Sequence, residues 1–322
     1  MPILEVEHLK KYFPVTSGVF LRQTGAVHAV DDVSFTVARG ETLGIVGESG
    51  CGKTTLGRCI MGLHSPTSGK IRLEGESMGK LSVSQRKAFA AKVQMIFQDP
   101  YESLNPRQTV RQILEEKFRI HGRPAATLED DVHGVLNQVN LDADCLLKYP
   151  HEFSGGQRQR IGIARAVSMS PELIVCDEPV SALDVSVQSK ILNLLLDLQE
   201  NLGLTYLFIS HDLSVVRHMS DRIIVMYLGK IMELADAETL YAAPRHPYTQ
   251  ALLDAIPVPD PTVTLGTLPL KGEVPSVENP PKGCRFNTRC PHATDICFEK
   301  SPELKPSQED ALHLTACHLF YA

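Results

Sequence analysis

Polar and apolar positions first alternate along the chain, then run together. LEVEHL (Leu4 to Leu9) and HAVDDVSFTVA (His28 to Ala38) show the alternating or β-branched pattern of strands, with a turn at Arg39 and Gly40. ETLGIVG (Glu41 to Gly47) is a continuous apolar run closing on glycine, the pattern of a buried parallel strand. A helix is expected to start near Lys53 and run through TTLGRCIMGL. From Ser82 to about Ser170 helical stretches dominate (SQRKAFAAKV, VRQILEEKFRIHG, LEDDVHGVLNQV), interrupted by Pro100, Pro106 and Pro150. Strand-like runs then resume as ELIVCDEP (Glu172 to Pro179), TYLFISHD (Thr205 to Asp212) and RIIVMYLGKIMEL (Arg222 to Leu234), with a helix from about Val187 to Leu202. Within that helix ILNLLLDL reads as an apolar face packed on a sheet, not a membrane anchor.

After about Pro244 periodicity fades. Pro257, Pro259, Pro261, Pro269, Pro275, Pro280 and Pro281 mark an extended C-terminal tail. The pattern predicts an α/β core, an inserted helical subdomain and a separate extension, without internal repeats.

Composition narrows the class. The 322 residues suffice for one large or two ordinary domains, and 43% hydrophobic with 22% charged residues is ordinary for a globular protein. A formal net charge of -6 argues against a general nucleic-acid binder, which needs a basic stripe. No apolar run approaches the ~20 residues that span a bilayer, and MPILEVEHLKKYF lacks the features of a secretory signal. A cytoplasmic location is expected, with membrane association only through a partner.

Two segments carry chemistry. Gly47-Glu48-Ser49-Gly50-Cys51-Gly52-Lys53-Thr54 fits G-x-x-x-x-G-K-[ST] between a predicted strand and a predicted helix. Its glycines let backbone N–H groups curl around phosphate oxygens, and the helix N-terminus adds partial positive charge. Lys53 is placed to reach the β- and γ-phosphates, Thr54 to ligate Mg²⁺, and Thr55 completes the binding segment. ELIVCDEP sets Asp177 and Glu178 at a strand end, the edge where open parallel sheets bind ligands. Asp177 suits Mg²⁺ and Glu178 suits the general base that polarises the attacking water. Gln98, ending VQMIFQ, offers an amide to sense Mg²⁺ and water, and His211 follows another apolar strand.

Phe153-Ser154-Gly155-Gly156-Gln157 resembles the LSGGQ signature of ABC ATPases, with Phe in place of the usual Leu. Physically it is a second anion site at a helix start. The resemblance covers about residues 3 to 250. It implies a Q-loop glutamine at Gln98, a D-loop at Ser181-Ala182-Leu183-Asp184, a switch histidine at His211, and an adenine-stacking aromatic at Phe13, with Tyr12 the runner-up. It further implies a head-to-tail dimer in which the signature of one subunit, Ser154 to Gln157 here, closes on ATP held by the other. ATP binding then drives closure and hydrolysis resets membrane-embedded partners. The segment FQDPYESLNPRQTV is where such proteins receive a short helix from the membrane subunit. The expected boundaries are 1–245 for the ATPase domain, with the helical subdomain at about 98–170 inside it, and 246–322 for the extension.

RHPYTQALLDAIPVPD and GEVPSVENPPKGCRFNTRCPHATDIC resemble the tail of oligopeptide/dipeptide importer ATPases, specifically the second of two non-identical subunits. The partners so implied are a non-identical second ATPase, two permeases and an extracytoplasmic solute-binding protein, at the cytoplasmic face of the membrane. Relatives handle nickel and other small solutes. A soluble ABC ATPase of translation or DNA repair, or an exporter, are the competing classes; the single cassette and the tail oppose them.

Of eight cysteines, Cys51, Cys59, Cys145 and Cys176 read as small buried or incidental side chains. Cys284, Cys290, Cys297 and Cys317 cluster at C-x5-C-x6-C-x19-C, which is not the tight pairing of a zinc knuckle. Loops that bring four thiolates together can hold an iron–sulfur cluster or zinc, with His292, His313 and His318 as alternative zinc ligands; uncommitted thiols are the third reading. The resemblance implies an iron–sulfur cluster of the 4Fe-4S type. Disulfides are disfavoured in a reducing compartment.

Overall fold

The computed structural model describes residues 2–17, 22–79, 81–99, 103–256, 272–307 and 310–320. Pro100 and the tail prolines 257, 259, 261 and 269 lie outside them. In chain order the strands are β1 (Leu4–Ser17), β2 (Arg22–Val37), β3 (Thr42–Val46), β4 (Ser68–Leu73), β5 (Glu76–Ser77), β6 (Val93–Ile96), β7 (Leu173–Asp177), β8 (Thr205–Ile209), β9 (Arg222–Tyr227), β10 (Lys230–Asp236), β11 (Lys305–Pro306) and β12 (Leu314–Thr315). The helices are α1 (Lys53–Ile60), α2 (Val83–Lys92), α3 (Val110–Ile120), α4 (Leu128–Gln138), α5 (Gly155–Val167), α6 (Val185–Leu202), α7 (Leu213–Met219), α8 (Ala237–Ala242), α9 (Pro247–Asp254) and α10 (Asp295–Glu299). The chain forms two compact units.

One unit comprises residues 38–41 and 79–208. Its strands lie in the order β8-β7-β6, with β6 and β7 parallel (Val93 opposite Leu173, Ile96 opposite Cys176). All five residues of β7 and all five of β8 are buried, so neither shows alternation. Helix α6 buries Ile191, Leu192, Leu194, Leu195 and Leu198, and the Tyr206 hydroxyl of β8 donates to the Leu195 carbonyl at 2.8 Å. Its apolar stripe is thus a packing face. No helix among the described residues is long and apolar enough to cross a membrane. Helices α3, α4 and α5 pack their apolar faces together, burying Val110, Ile113, Leu114 and Phe118 of α3 and Leu128, Val132, Val135 and Leu136 of α4.

The other unit comprises residues 2–37, 42–78 and 209–322. An antiparallel sheet runs β2-β1-β4-β5, and a second set of strands runs β11-β12-β10-β9-β3, with β3 and β9 parallel. The architecture is an α/β cassette with an antiparallel β subdomain, an inserted helical subdomain and a cysteine-containing extension.

Two expectations change. RIIVMYLGKIMEL is a hairpin, not one strand: β9 and β10 pair antiparallel, with Tyr227 opposite Lys230. Leu228 and Gly229 both adopt positive φ (42° and 80°), the twist a two-residue hairpin needs. The tail, expected to be extended, is packed from Cys284 onward. Its β12 pairs with β10, and Cys284, Phe286, Cys297, His313 and Cys317 are buried. Glu233, fully buried on β10, accepts hydrogen bonds from the backbone N–H groups of Arg245 (2.7 Å) and His246 (3.0 Å) and pairs with His313 Nε2 at 2.6 Å. One carboxylate thus fixes three points of the later chain.

Candidate nucleotide site and cysteine cavity

β3 delivers the chain into the glycine-rich loop. Gly47 has φ 149°, and a Cβ there would lie 2.2 Å from the Met226 carbonyl oxygen. Gly52 has φ 107°, with the corresponding clash 1.9 Å from the Ala29 carbonyl oxygen. Only glycine fits either position. No side chain caps α1, and its first turn carries no acidic residue, so the positive end of the helix faces the loop unneutralised. Ser49 and Gly50 form the exposed tip of the loop. Lys53 is buried and folds back over the loop, its Nζ donating to the carbonyls of Gly47 (2.7 Å) and Glu48 (3.0 Å). Thr54 and Thr55 are half-buried in the first turn of α1. Cys51 is buried, and desolvation pushes its thiol pKa up. It stays a packed thiol.

In the same unit the Ser210 N–H donates to the Ile45 carbonyl at 3.2 Å, which sets Ser210 beside β3 just before the loop. His211 follows, exposed, and Asp212 caps α7 by accepting from the Ser214 and Val215 amides. On β1, Tyr12 stacks on His28 (centroids 4.2 Å apart) and donates its hydroxyl to Asp31 at 2.5 Å. Phe13 meets His64 edge-on at 5.4 Å, and Lys11 Nζ lies 4.7 Å above its ring.

The other unit carries the carboxylates. β7 ends at Asp177, which is buried. The next residue, Glu178, turns the chain at φ 49°, a left-handed conformation that costs a non-glycine residue on the order of 1 kcal/mol. Gln98 Nε2 donates to Glu178 Oε2 at 3.0 Å, joining two residues 80 positions apart. The Ser181 N–H and hydroxyl both donate to the Glu178 carbonyl (3.3 and 3.1 Å), and Gln188 Nε2 ties down the carbonyls of Val180 and Leu183.

Ser154 caps α5: its hydroxyl accepts from the Gln157 N–H, and Gln157 Oε1 accepts from the Ser154 N–H at 3.1 Å. A Cβ on Gly156 would lie 2.5 Å from Val187 Cγ1, and one on Gly155 3.2 Å from Leu183. Phe153 is buried, so the aromatic ring performs the packing task of the usual leucine.

The structure therefore joins Gln98 to Glu178, gathers Gly47 to Thr55 at the start of α1, and gathers Ser154 to Gln157 at the start of α5. Sequence reasoning missed two partners of the glycine-rich loop, Tyr248 and Arg289. The Glu48 N–H donates to the Tyr248 hydroxyl at 2.9 Å, and the Glu48 carboxylate receives both arms of Arg289 (2.7 and 3.1 Å). Arg289 also donates to the Tyr227 hydroxyl at 3.2 Å. No short-range signal marks these contacts, because Arg289 lies 241 residues beyond Glu48.

Cys284, Cys290, Cys297 and Cys317 line a single cavity together with His246 and His292. Burial, reinforced by the neighbouring thiols, raises Cys284 and Cys317 to about 11 and shifts Cys290 upward. Among the described residues, no three or more His, Cys, Asp or Glu side chains form a group that could hold a metal ion.

A glycine-rich loop ahead of an uncapped helix, an Asp-Glu pair ending a buried strand and a serine-capped Ser-Gly-Gly-Gln helix start together define an ATP-binding cassette. Known proteins agree. The family model of ABC transporters matches residues 30–181, and that of the oligopeptide/dipeptide transporter C-terminal region matches residues 232–297. The oligopeptide transport ATP-binding protein AppF of Bacillus subtilis is 55% identical, over 99% of this chain and 97% of its own. A probable peptide ABC transporter ATP-binding protein of Sinorhizobium fredii, y4tS, is 50% identical over 98% of this chain and 90% of its own. Among solved structures, cbiO1 of Clostridium perfringens, part of the transporter complex cbiONQ, superposes with a TM-score of 0.65 at 27% identity, covering 75% of this chain and 91% of that one. The dimeric cassette MJ0796 in a post-hydrolysis state with ADP and phosphate gives 0.64 at 27% identity, covering 73% and 98%. The chain belongs to the ABC transporter family of ATP-hydrolysing subunits, and ATP with Mg²⁺ is what such a cassette uses.

Proposed function

We propose that this subunit powers import of dipeptides or oligopeptides, working at the cytoplasmic face of a membrane beside two permeases, a second and non-identical ATPase, and a solute-binding protein. The observation that carries this reading is likeness along nearly the whole chain, tail included, to proteins named for oligopeptide transport. The ATPase domain would occupy 1–245, with its helical part at about 98–170, and the extension 246–322.

In this reading Gly47 to Thr55 cradles the phosphates and Lys53 exchanges its two carbonyl contacts for phosphate oxygens. Thr54, Asp177 and Gln98 would hold Mg²⁺ and its water, which would neutralise charge on the phosphates. Glu178 polarises the attacking water, held ready by the Gln98 amide. His211, exposed, contacts the γ-phosphate, and Ser154 to Gln157 meets the ATP of the partner ATPase. Phe13 stacks on adenine, since Tyr12 is already engaged by His28 and Asp31.

The four tail cysteines are proposed to hold an iron–sulfur cluster. What supports this reading is that all four line one cavity; among the described residues they do not form a group placed to hold a metal ion. Iron and acid-labile sulfide lost together on Cys→Ser substitution would support it. Zinc, or no metal in protein purified without oxygen, refutes it.

Labelled-peptide uptake into proteoliposomes holding the assembled transporter tests the main reading. Glu178→Gln should retain ATP binding while lowering both hydrolysis and uptake at least about 100-fold, as expected for loss of a general base. Near-normal turnover removes Glu178 from its role, and uptake of Ni²⁺ but not peptide reassigns the cargo.

A further inference from the structure

The segment from Cys284 to Cys290 sends two arginines onto the nucleotide-binding face of its own unit. Arg289, with only 5% of its side chain exposed, forms a two-pronged pair with Glu48, the second residue of the phosphate loop. Such fork-to-carboxylate pairs fix orientation as well as position, because both N–H···O bonds must align at once. The loop is also anchored by the Tyr248 hydroxyl, which receives the Glu48 N–H, and by the Gly229 N–H, which donates to the Cys51 carbonyl at 2.9 Å. Lys53 donates to the Glu48 carbonyl, so whatever fixes Glu48 also fixes one of the contacts that Lys53 must release to take a phosphate. The second arginine, Arg285, pairs with Asp31 at 2.6 Å, and Asp31 accepts the Tyr12 hydroxyl next to Phe13. The hydrogen bonds from Tyr12 and Arg285, with the charge of Lys230, outweigh burial and hold the Asp31 carboxyl below its ordinary range. It stays ionised and keeps its partners.

We propose that Arg289 is a positioning residue for ATP binding: through Glu48 it holds the phosphate loop in its binding shape, and so makes the cysteine-bearing extension part of the nucleotide site. Arg289 directly precedes Cys290, so the fold of the extension sets where the fork is presented. The proposal rests on reading residues 47–54 as the phosphate loop, and Lys53→Ala supplies the separate check.

The test measures MgATP affinity of the full chain by calorimetry, and KM and kcat for ATP in the assembled transporter. Arg289→Met should raise Kd and KM roughly tenfold with kcat changed less than about twofold, as expected when an interaction formed equally in ground and transition states is lost. Arg289→Lys keeps the charge but not the fork, and should recover only part of the affinity. Glu48→Gln should weaken ATP binding in the same way. The double variant Glu48→Gln/Arg289→Met should be no worse than the poorer single variant, because both act through one contact. If Arg289→Met does not fold, Arg289→Lys and Glu48→Gln decide alone. Unchanged KM with a lowered melting temperature would make the pair a structural brace and overturn the proposal, as would additive effects. If Lys53→Ala leaves ATP affinity intact, the reading of the loop fails; if it abolishes binding while the Arg289 variants bind normally, only the role of Arg289 fails.

Discussion

Two lysines in this chain sit in different surroundings, Lys53 buried and Lys117 half-buried. Lys53 donates to two carbonyl oxygens of its own loop, those of Gly47 and Glu48. For Lys117, on α3, burial, and secondarily the nearby charge of Arg165, lowers the pKa to about 7, although it donates to Gln94 and to the Arg165 carbonyl at 2.8 Å. A lysine whose folded pKa lies below its unfolded value resists protonation in the native state. Between about pH 7 and 10.5 the unfolded chain binds the proton and the folded one does not, so this group makes stability rise with pH across that window. Lys117→Met should flatten the slope by about 2–4 kcal/mol over the window, read as the difference between denaturant midpoints of the two proteins at several pH values. Parallel pH profiles would show that Lys117 is charged throughout.

At the scale of elements, glycine placement decides what each helix start can do. Gly156 sits against Val187 of α6 with no room for a methyl group. Gly156→Ala should destabilise the unit by about 1–3 kcal/mol, the usual cost of overpacking, and Val187→Ala should restore most of the loss in a thermal melt. An additive double variant would mean that the contact relaxes freely. The same scale explains what could be read in advance. The strand, loop and helix around Gly47 to Thr54 were legible because their signals are local: an apolar run, glycines at forced φ, a helix without a cap. The hairpin of β9 and β10 was not, since every residue from Ile223 to Tyr227 and from Ile231 to Ala235 is buried and no alternation survives to mark the reversal. The candidate catalytic residues were legible as residue types at strand ends. The pairing of Gln98 with Glu178 across 80 residues was not.

At the scale of the whole molecule, the extension is a fastened part of the unit that contains the phosphate loop. Its proline content suggested an open tail, because composition cannot report that β12 completes a ladder with β10 or that Glu233 collects Arg245, His246 and His313. Glu233→Ala removes the acceptor for two backbone amides and strands His313 in the interior. It should cost at least about 3 kcal/mol, since each buried donor left unsatisfied costs about 1–3 kcal/mol, and should speed deuterium uptake in β12 and residues 313–317 before the rest of the unit. Uniform exchange across the unit would show that the extension does not unfold separately.

The bond between Glu48 and Arg289 also places the two ends of one contact far apart in time. A ribosome adds roughly 5–20 residues per second, so the 241 positions between them correspond to roughly 12–48 seconds of synthesis. Throughout that interval the nascent chain carries the glycine-rich loop sequence with no arginine for its carboxylate to meet. If Arg289 positions the loop as proposed, nucleotide competence arrives late in translation, and a truncated product ending before residue 289 would carry the loop without its fastening.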